Sequence, residues 1–182
     1  MKKLPVLFVV LAILLAVPVS AKGNKAWKKG YHGNLELGTS AMTMKMMGNG
    51  GVEPDEMIRL SSTHGYAFGN GLFLGAGAGC NFQLIEELHF ASAFLDVKYN
   101  LVDVSVSPFI EGRTGYNYCI NKYNEIGGLF VSTAAGVDFG RVSARLGYEL
   151  APIKENIRSN SGRLGYSLCT SNRFFFSLAF NF

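Results

Sequence analysis

The sequence predicts an all-β chain: one eight-stranded antiparallel barrel that crosses a membrane, behind an export segment that is cleaved. Three observations carry this. Apolar and polar residues alternate with a period of two over about eight separate stretches, connections between the stretches alternate long and short, and charges inside the stretches share the face opposite the large aliphatics.

Of 182 residues, 48% are hydrophobic and 16% charged, with 22 Gly against 5 Pro. The charged share falls below the ~25% usual in soluble domains and excludes a disordered chain, while frequent Gly with little Pro suits strands and tight turns. Met1-Lys2-Lys3 is a basic start, Leu4 to Val17 is an apolar run of about fourteen residues, and Pro18-Val19-Ser20-Ala21 ends in the small residues that a signal peptidase reads. The run is short of the ~20 residues of a spanning helix, so residues 1–21 read as a cleaved signal. No Cys follows Ala21 to carry a lipid anchor. The formal charge of +4 includes Lys2 and Lys3, so the exported chain sits near neutrality and shows no basic patch for nucleic acid. Residues 22–28 form a polar lead-in, and residues 29–182 the barrel domain.

The elements follow in order. Tyr31 to Ala41 alternates, with Tyr31, Leu35 and Leu37 on one face; a helix would scatter them. Met57 to His64 is the weakest strand, with Ile58 and Leu60 against Arg59 and Ser61. Leu72 to Leu84 puts Leu72, Leu74, Ala76, Ala78, Cys80 and Phe82 on one face, and Gly75, Gly77 and Gly79 on the other. Phe90 to Tyr99 and Ser107 to Cys119 repeat the pattern, as do Leu129 to Phe139, Val142 to Leu150 and Asn172 to Phe182. Strands of ~9–11 residues cross a bilayer when tilted. The connections Met42 to Glu56, Ile85 to His89, Ile120 to Gly128 and Ala151 to Ser171 read as long loops. Those at Gly69-Asn70-Gly71, Asn100 to Asp103 and Gly140-Arg141 read as tight turns. Loops at one end and turns at the other are the organisation of an outer-membrane barrel, with turns toward the periplasm.

The strand charges are Glu36, Asp96, Glu111, Asp138 and Glu149 against Arg59, Lys98, Arg113 and Arg145. Near-cancellation suits a narrow lumen, where a lone buried charge is costly. On the apolar face, Tyr31, Tyr99, Phe139 and Phe182 fall at the turn end, and Phe82, Tyr116, Tyr118, Tyr148 and Phe174 at the loop end, as two interfacial girdles. A soluble lipocalin-like barrel has the opposite sidedness.

Lys29-Gly30-Tyr31-His32-Gly33, Thr63-His64-Gly65-Tyr66, Leu72-Phe73-Leu74-Gly75-Ala76-Gly77 and Asp96-Val97-Lys98-Tyr99 resemble the small outer-membrane β-barrel family of Gram-negative bacteria. The likeness is to its eight-stranded class with OmpA- and OmpX-type barrels, and it covers everything after Lys28. Phe180-Asn181-Phe182 is similar to the C-terminal signal of that class, which implies recognition by the outer-membrane insertion machinery through Phe180 and Phe182. Ser177 stands where such signals often carry Gly.

Chemistry-bearing motifs are few. Gly75-x-Gly77-x-Gly79 imitates a dinucleotide fingerprint but lies within a strand rather than at a strand-to-helix turn. In a lumen those glycines make room for Arg59, Arg113 or Phe94. His32 and His64 fall at the turn end on opposite faces and His89 at the loop end, so they cannot converge on a metal. Only His89, beside Glu86 and Glu87, stands where a lipid-modifying enzyme would place a base. Met42, Met44, Met46 and Met47 offer thioethers for Cu(I), but read as apolar cover of the rim. Cys119 and Cys169 map to the loop end, where an exported protein can bridge them, and Cys80 maps alone to the lipid face. The expected function is therefore non-enzymatic, a structural or surface-interaction role exerted through the loops by a monomer in contact with outer-membrane lipids. No catalytic, cofactor or metal residues are assigned. A lipid-modifying enzyme using His89 and a narrow solute channel are the alternatives.

Overall fold

The computed structural model describes residues 28–46, 54–83, 89–120, 127–158 and 164–182, with side chains described for 28–41, 56–83, 89–120, 127–151 and 172–182. Signal residues 1–21, Met47, Glu86 and Glu87 lie outside them, as do the side chains of Met42, Met44, Met46 and Cys169.

The described residues form eight strands in a closed antiparallel barrel, each strand paired with its sequence neighbour and the first with the last. They are β1 (Lys29–Met46), β2 (Pro54–Phe68), β3 (Leu72–Gln83), β4 (His89–Asn100), β5 (Val106–Cys119), β6 (Gly127–Phe139), β7 (Val142–Arg158) and β8 (Leu164–Asn181). The weakly patterned second stretch is a full strand because β1 and β3 pair with it along both edges. Closure matters physically: hydrocarbon offers no partners for backbone N–H and C=O groups, and only a sheet without edges satisfies them all.

Three short turns gather at one end. Gly69 and Gly71 take φ of +78° and +88°, and Gly140 takes +74°, a backbone state that glycine adopts without steric cost. The seam between β1 and β8 closes at this end, where Gly33 and Phe182 exchange two N–H···O bonds of 2.9 Å.

At the other end the strands run further than their alternation does. The expected loop from Met42 to Glu56 is strand as far as Met46 and again from Pro54, and most of Ala151 to Ser171 is paired strand, in register to Arg158 opposite Leu164. The reason lies in the solvent. Alternation marks where one face meets lipid, and above that level strands still pair although two faces in water need no period-two pattern. Among the described residues β6 pairs with β7 as far as Lys154 and β1 with β8 as far as Cys169, while β7 and β8 go on pairing with each other to Arg158 opposite Leu164.

Outward residues are apolar and bare. Leu95, Leu146 and Leu129 are 62%, 64% and 66% exposed, and no charged strand residue among those expected to face the lumen lies on this face. Both girdles are present on the outer wall, with Tyr31, Tyr99, Phe139 and Phe182 at the turn end and Phe82, Tyr116, Tyr118 and Phe174 at the loop end. A contiguous apolar belt of this extent has no counterpart on a monomer in water. It is a lipid-facing surface.

Candidate functional site

The lumen holds the polar chemistry. All nine expected charges point inward, and the set of bases is one short. Arg173 is a fifth, 1% exposed, set inward by the same parity that turns Phe174 and Phe176 outward. Five acids therefore meet five bases, and every one is paired. Arg113 reaches Glu36 at 2.7 Å, Glu111 at 2.8 Å and Asp96 at 3.2 Å. Arg145 bonds Glu36 and lies 3.2 Å from Glu111. Toward the loops, Glu149 joins Arg59 at 3.0 Å and Arg173 at 3.3 Å. Toward the turns, Lys98 meets Asp138 at 2.7 Å, and Asp138 also accepts from Asn100 and Ser143.

Aromatic rings complete the filling. Phe94, Phe109 and Phe175 point into the lumen, each directly opposite a glycine on the adjacent strand: Gly77, Gly136 and Gly147 in turn. A Cβ on Gly77 would stand 2.6 Å from Phe94 Cε2 and from the Ser62 carbonyl, so the ring can lie against the wall only because no side chain is there. The free face of each ring then carries a cation. Arg113 stands 5.0 Å from the Phe94 centroid, Lys98 4.3 Å from Phe109, and Arg59 4.5 Å from Phe175. The space beside Gly75 and Gly77 thus goes to Phe73 and Phe94, rather than to Arg59 or Arg113 directly. Alternation shows which residues face inward; which ring fills which notch depends on the register between strands, which no single strand encodes.

The histidines stay apart. His32 lines the turn-side mouth, and His64 stands on the outer wall with its Nδ1 2.5 Å from Tyr31 OH and Nε2 3.0 Å from Ser62 Oγ. A serine within reach of a histidine is the beginning of a nucleophilic pair. Here Ser62 also donates to the Asn34 carbonyl, and the backbone N–H groups of β2 are used in its ladders to β1 and β3, so no donor pair faces an oxyanion. Position i and i+2 on one strand put the two on the same face, the signal by which the contact is legible. His89 packs edge-on against Phe82, with centroids 5.4 Å apart. Among the described side chains, which leave out that of Cys169, Cys119 is buried and makes no disulfide, and Cys80 is half-buried on the outer wall. Among the described residues no group of His, Cys, Asp and Glu is arranged to hold a metal ion.

No protein-family model and no curated protein matches the sequence. Solved structures do match. Neisserial surface protein A is similar over 84% of this chain and 99% of its own, with 13% identity and a TM-score of 0.55. The outer membrane protein OprG from Pseudomonas aeruginosa is similar over 88% and 98%, with 10% identity and a TM-score of 0.51. Ail, the attachment invasion locus protein of Yersinia pestis, is similar over 83% and 98%, with 9% identity and a TM-score of 0.50. At such identities the likeness speaks for the fold. The chain has the fold of the small eight-stranded outer-membrane β-barrels, and its wall is built to sit in the lipid of that membrane.

Proposed function

We propose that this protein is a non-enzymatic outer-membrane component that acts at the cell surface through the loop end of its barrel. One observation carries the reading: the lumen is closed by its own side chains, with five acids and five bases paired across it. A barrel whose interior is spent on internal ion pairs and stacked rings has its exposed loop end left for partners, and loops on a rigid scaffold are where binding residues concentrate. The further pairing of β7 with β8 adds to that end a two-stranded element whose outer edges have no partner among the described residues, a form suited to strand addition by a partner. Neisserial surface protein A and the attachment invasion locus protein are, by their own names, a surface protein and an attachment protein; the same role is proposed here.

The reading includes removal of residues 1–21 on export, insertion guided by Phe180 and Phe182, and a monomeric barrel. Both phenylalanines face outward on the last strand, 46% and 57% exposed, where an insertion factor has access before the seam closes. His89 supplies no support for the enzyme alternative, because its ring is engaged with Phe82 on the outer wall.

The test is adhesion of intact cells to matrix-coated surfaces, comparing the parent, a deletion strain, and a strain whose barrel has residues 155–167 replaced by a tight turn. The reading expects the deletion to lower adhesion and the shortened barrel to follow it while still inserting. Equal adhesion by all three strains, or turnover of phospholipid or lipopolysaccharide by the purified barrel, would contradict it.

A further inference from the structure

Within the turn-side end of the barrel lies a cavity of about 480 Å³, in the size range of small-ligand sites. Its floor is a neutral network. Asp138 accepts from Lys98, from Asn100 Nδ2 at 2.6 Å and from Ser143 Oγ at 2.5 Å, and Asn181 Nδ2 donates to Ser143 Oγ at 2.6 Å. Asp138 is the one acidic side chain among the described lining residues, and it is spent on these donors.

The rim is therefore left cationic. Lys28 and Arg141 line it together with His32, which donates Nε2–H to the Lys28 carbonyl at 3.3 Å. A terminal carboxylate on Phe182 would offset one charge, and the excess stays positive. A second, independent feature borders the same space. Asn34 is 6% exposed, lines the cavity, and has a side-chain oxygen with no hydrogen-bond partner among the described residues. A buried acceptor left unmade is costly, so it marks a place where a donor belongs.

We propose that this cavity binds a phosphate group that carries a hydroxyl, as a glycerol phosphate does, with Lys28 and Arg141 on the phosphate and Asn34 accepting from the hydroxyl. The guanidinium fork of Arg141 matches two phosphate oxygens, and Lys28 adds a point charge. Phe180 and Phe182 also border the cavity and turn toward lipid. The same chemistry can therefore arrive as a phosphatidylglycerol headgroup, its chains along the outer wall, or as a free glycerol phosphate. The site lies at the end of the barrel opposite the loops and does not rest on the surface role proposed above.

The experiment follows backbone amide shifts of Gly140, Arg141 and Asn181 in the full barrel. One arm titrates glycerol 3-phosphate and inorganic phosphate into an uncharged detergent micelle; the other compares phosphatidylcholine nanodiscs with and without phosphatidylglycerol. Saturable shifts with the free compound or with the lipid support the site, and a response to the lipid alone identifies the lipid as the source. Arg141→Gln and Lys28→Gln, both exposed positions, should each weaken binding about tenfold, equivalent to about 1.4 kcal/mol. Asn34→Ala should remove the preference for glycerol phosphate over inorganic phosphate. Absence of saturable shifts in both arms, or affinities unchanged in Arg141→Gln and Lys28→Gln, would overturn the proposal.

Discussion

Arg113 on β5 and Glu36 on β1 meet at 2.7 Å across the lumen, from strands on opposite walls of the barrel. The bond ties the two halves of the sheet at their middle, and the same guanidinium holds Glu111 and Asp96. Three carboxylates thus depend on one cation, with Arg145 shared by two of them.

Removing that cation should be expensive. Arg113→Ala leaves Asp96 without its arginine in a space almost closed to water, and should destabilise the barrel by about 3–5 kcal/mol. Arg113→Lys should lose less, because the charge remains and only the fork is lost. Denaturant titration in lipid vesicles measures both. With Glu36→Gln as the second change, the losses should be non-additive, since the two share one network.

The two faces of one strand should respond differently to the same substitution. Leu95 and Val131 stand bare on the outer wall, at 62% and 54% exposure, near the middle of their strands. Arg at either should destabilise by about 2–4 kcal/mol, the cost of a charge at the bilayer midplane. Ser92 on β4 and Ser132 on β6 turn to the lumen side, and Arg there should give an effect set by local ion pairs rather than by depth. Equal, small losses at Leu95 and Val131 would place lipid elsewhere.

The glycine notches should not accept a methyl group. Gly77→Ala drives a carbon against the Phe94 ring and the Ser62 carbonyl, and Gly147→Ala does so against Phe175 and the Thr133 carbonyl. Because one obstacle in each case is backbone, relief by a side-chain shift is incomplete, and a loss of about 1–3 kcal/mol is expected. Combining Gly77→Ala with Phe94→Leu should recover part of it, as read by the same vesicle titration.

Which of these features was legible beforehand follows from what a period-two pattern encodes. Parity within a strand is local, so the inward placement of Glu36, Asp96 and Arg145 and the outward placement of Leu95 and Phe174 could be read directly. Arg173 was equally legible, since it lies within the stretch Asn172 to Phe182 and the parity of Phe174 and Phe176 turns it inward, yet the strand charges named from the sequence leave it out. The pairing of Gly77 with Phe94, and of Arg113 with Glu36, depends on register and on closure of the sheet, which bring together residues far apart in sequence. The further pairing of β7 with β8 was hidden for another reason, since strands with water on both faces carry no alternation to mark them.

The last strand offers a test of assembly. Phe182 closes the seam through two backbone bonds to Gly33, and its ring lies over that glycine and edge-on to His64, with centroids 5.9 Å apart. Phe182→Ser should slow barrel formation in cells, visible as unfolded protein on unheated gels, whereas Phe182→Tyr should restore it. Normal assembly of Phe182→Ser would remove this residue from the insertion signal.

Conductance in planar bilayers tests the central claim most directly. A lumen filled by five acids, five bases and the rings stacked on them should pass no steady current, and Arg113→Ala should lower stability without opening a channel. A large, reproducible single-channel conductance of the unmodified barrel would contradict the sealed lumen and make transport its function.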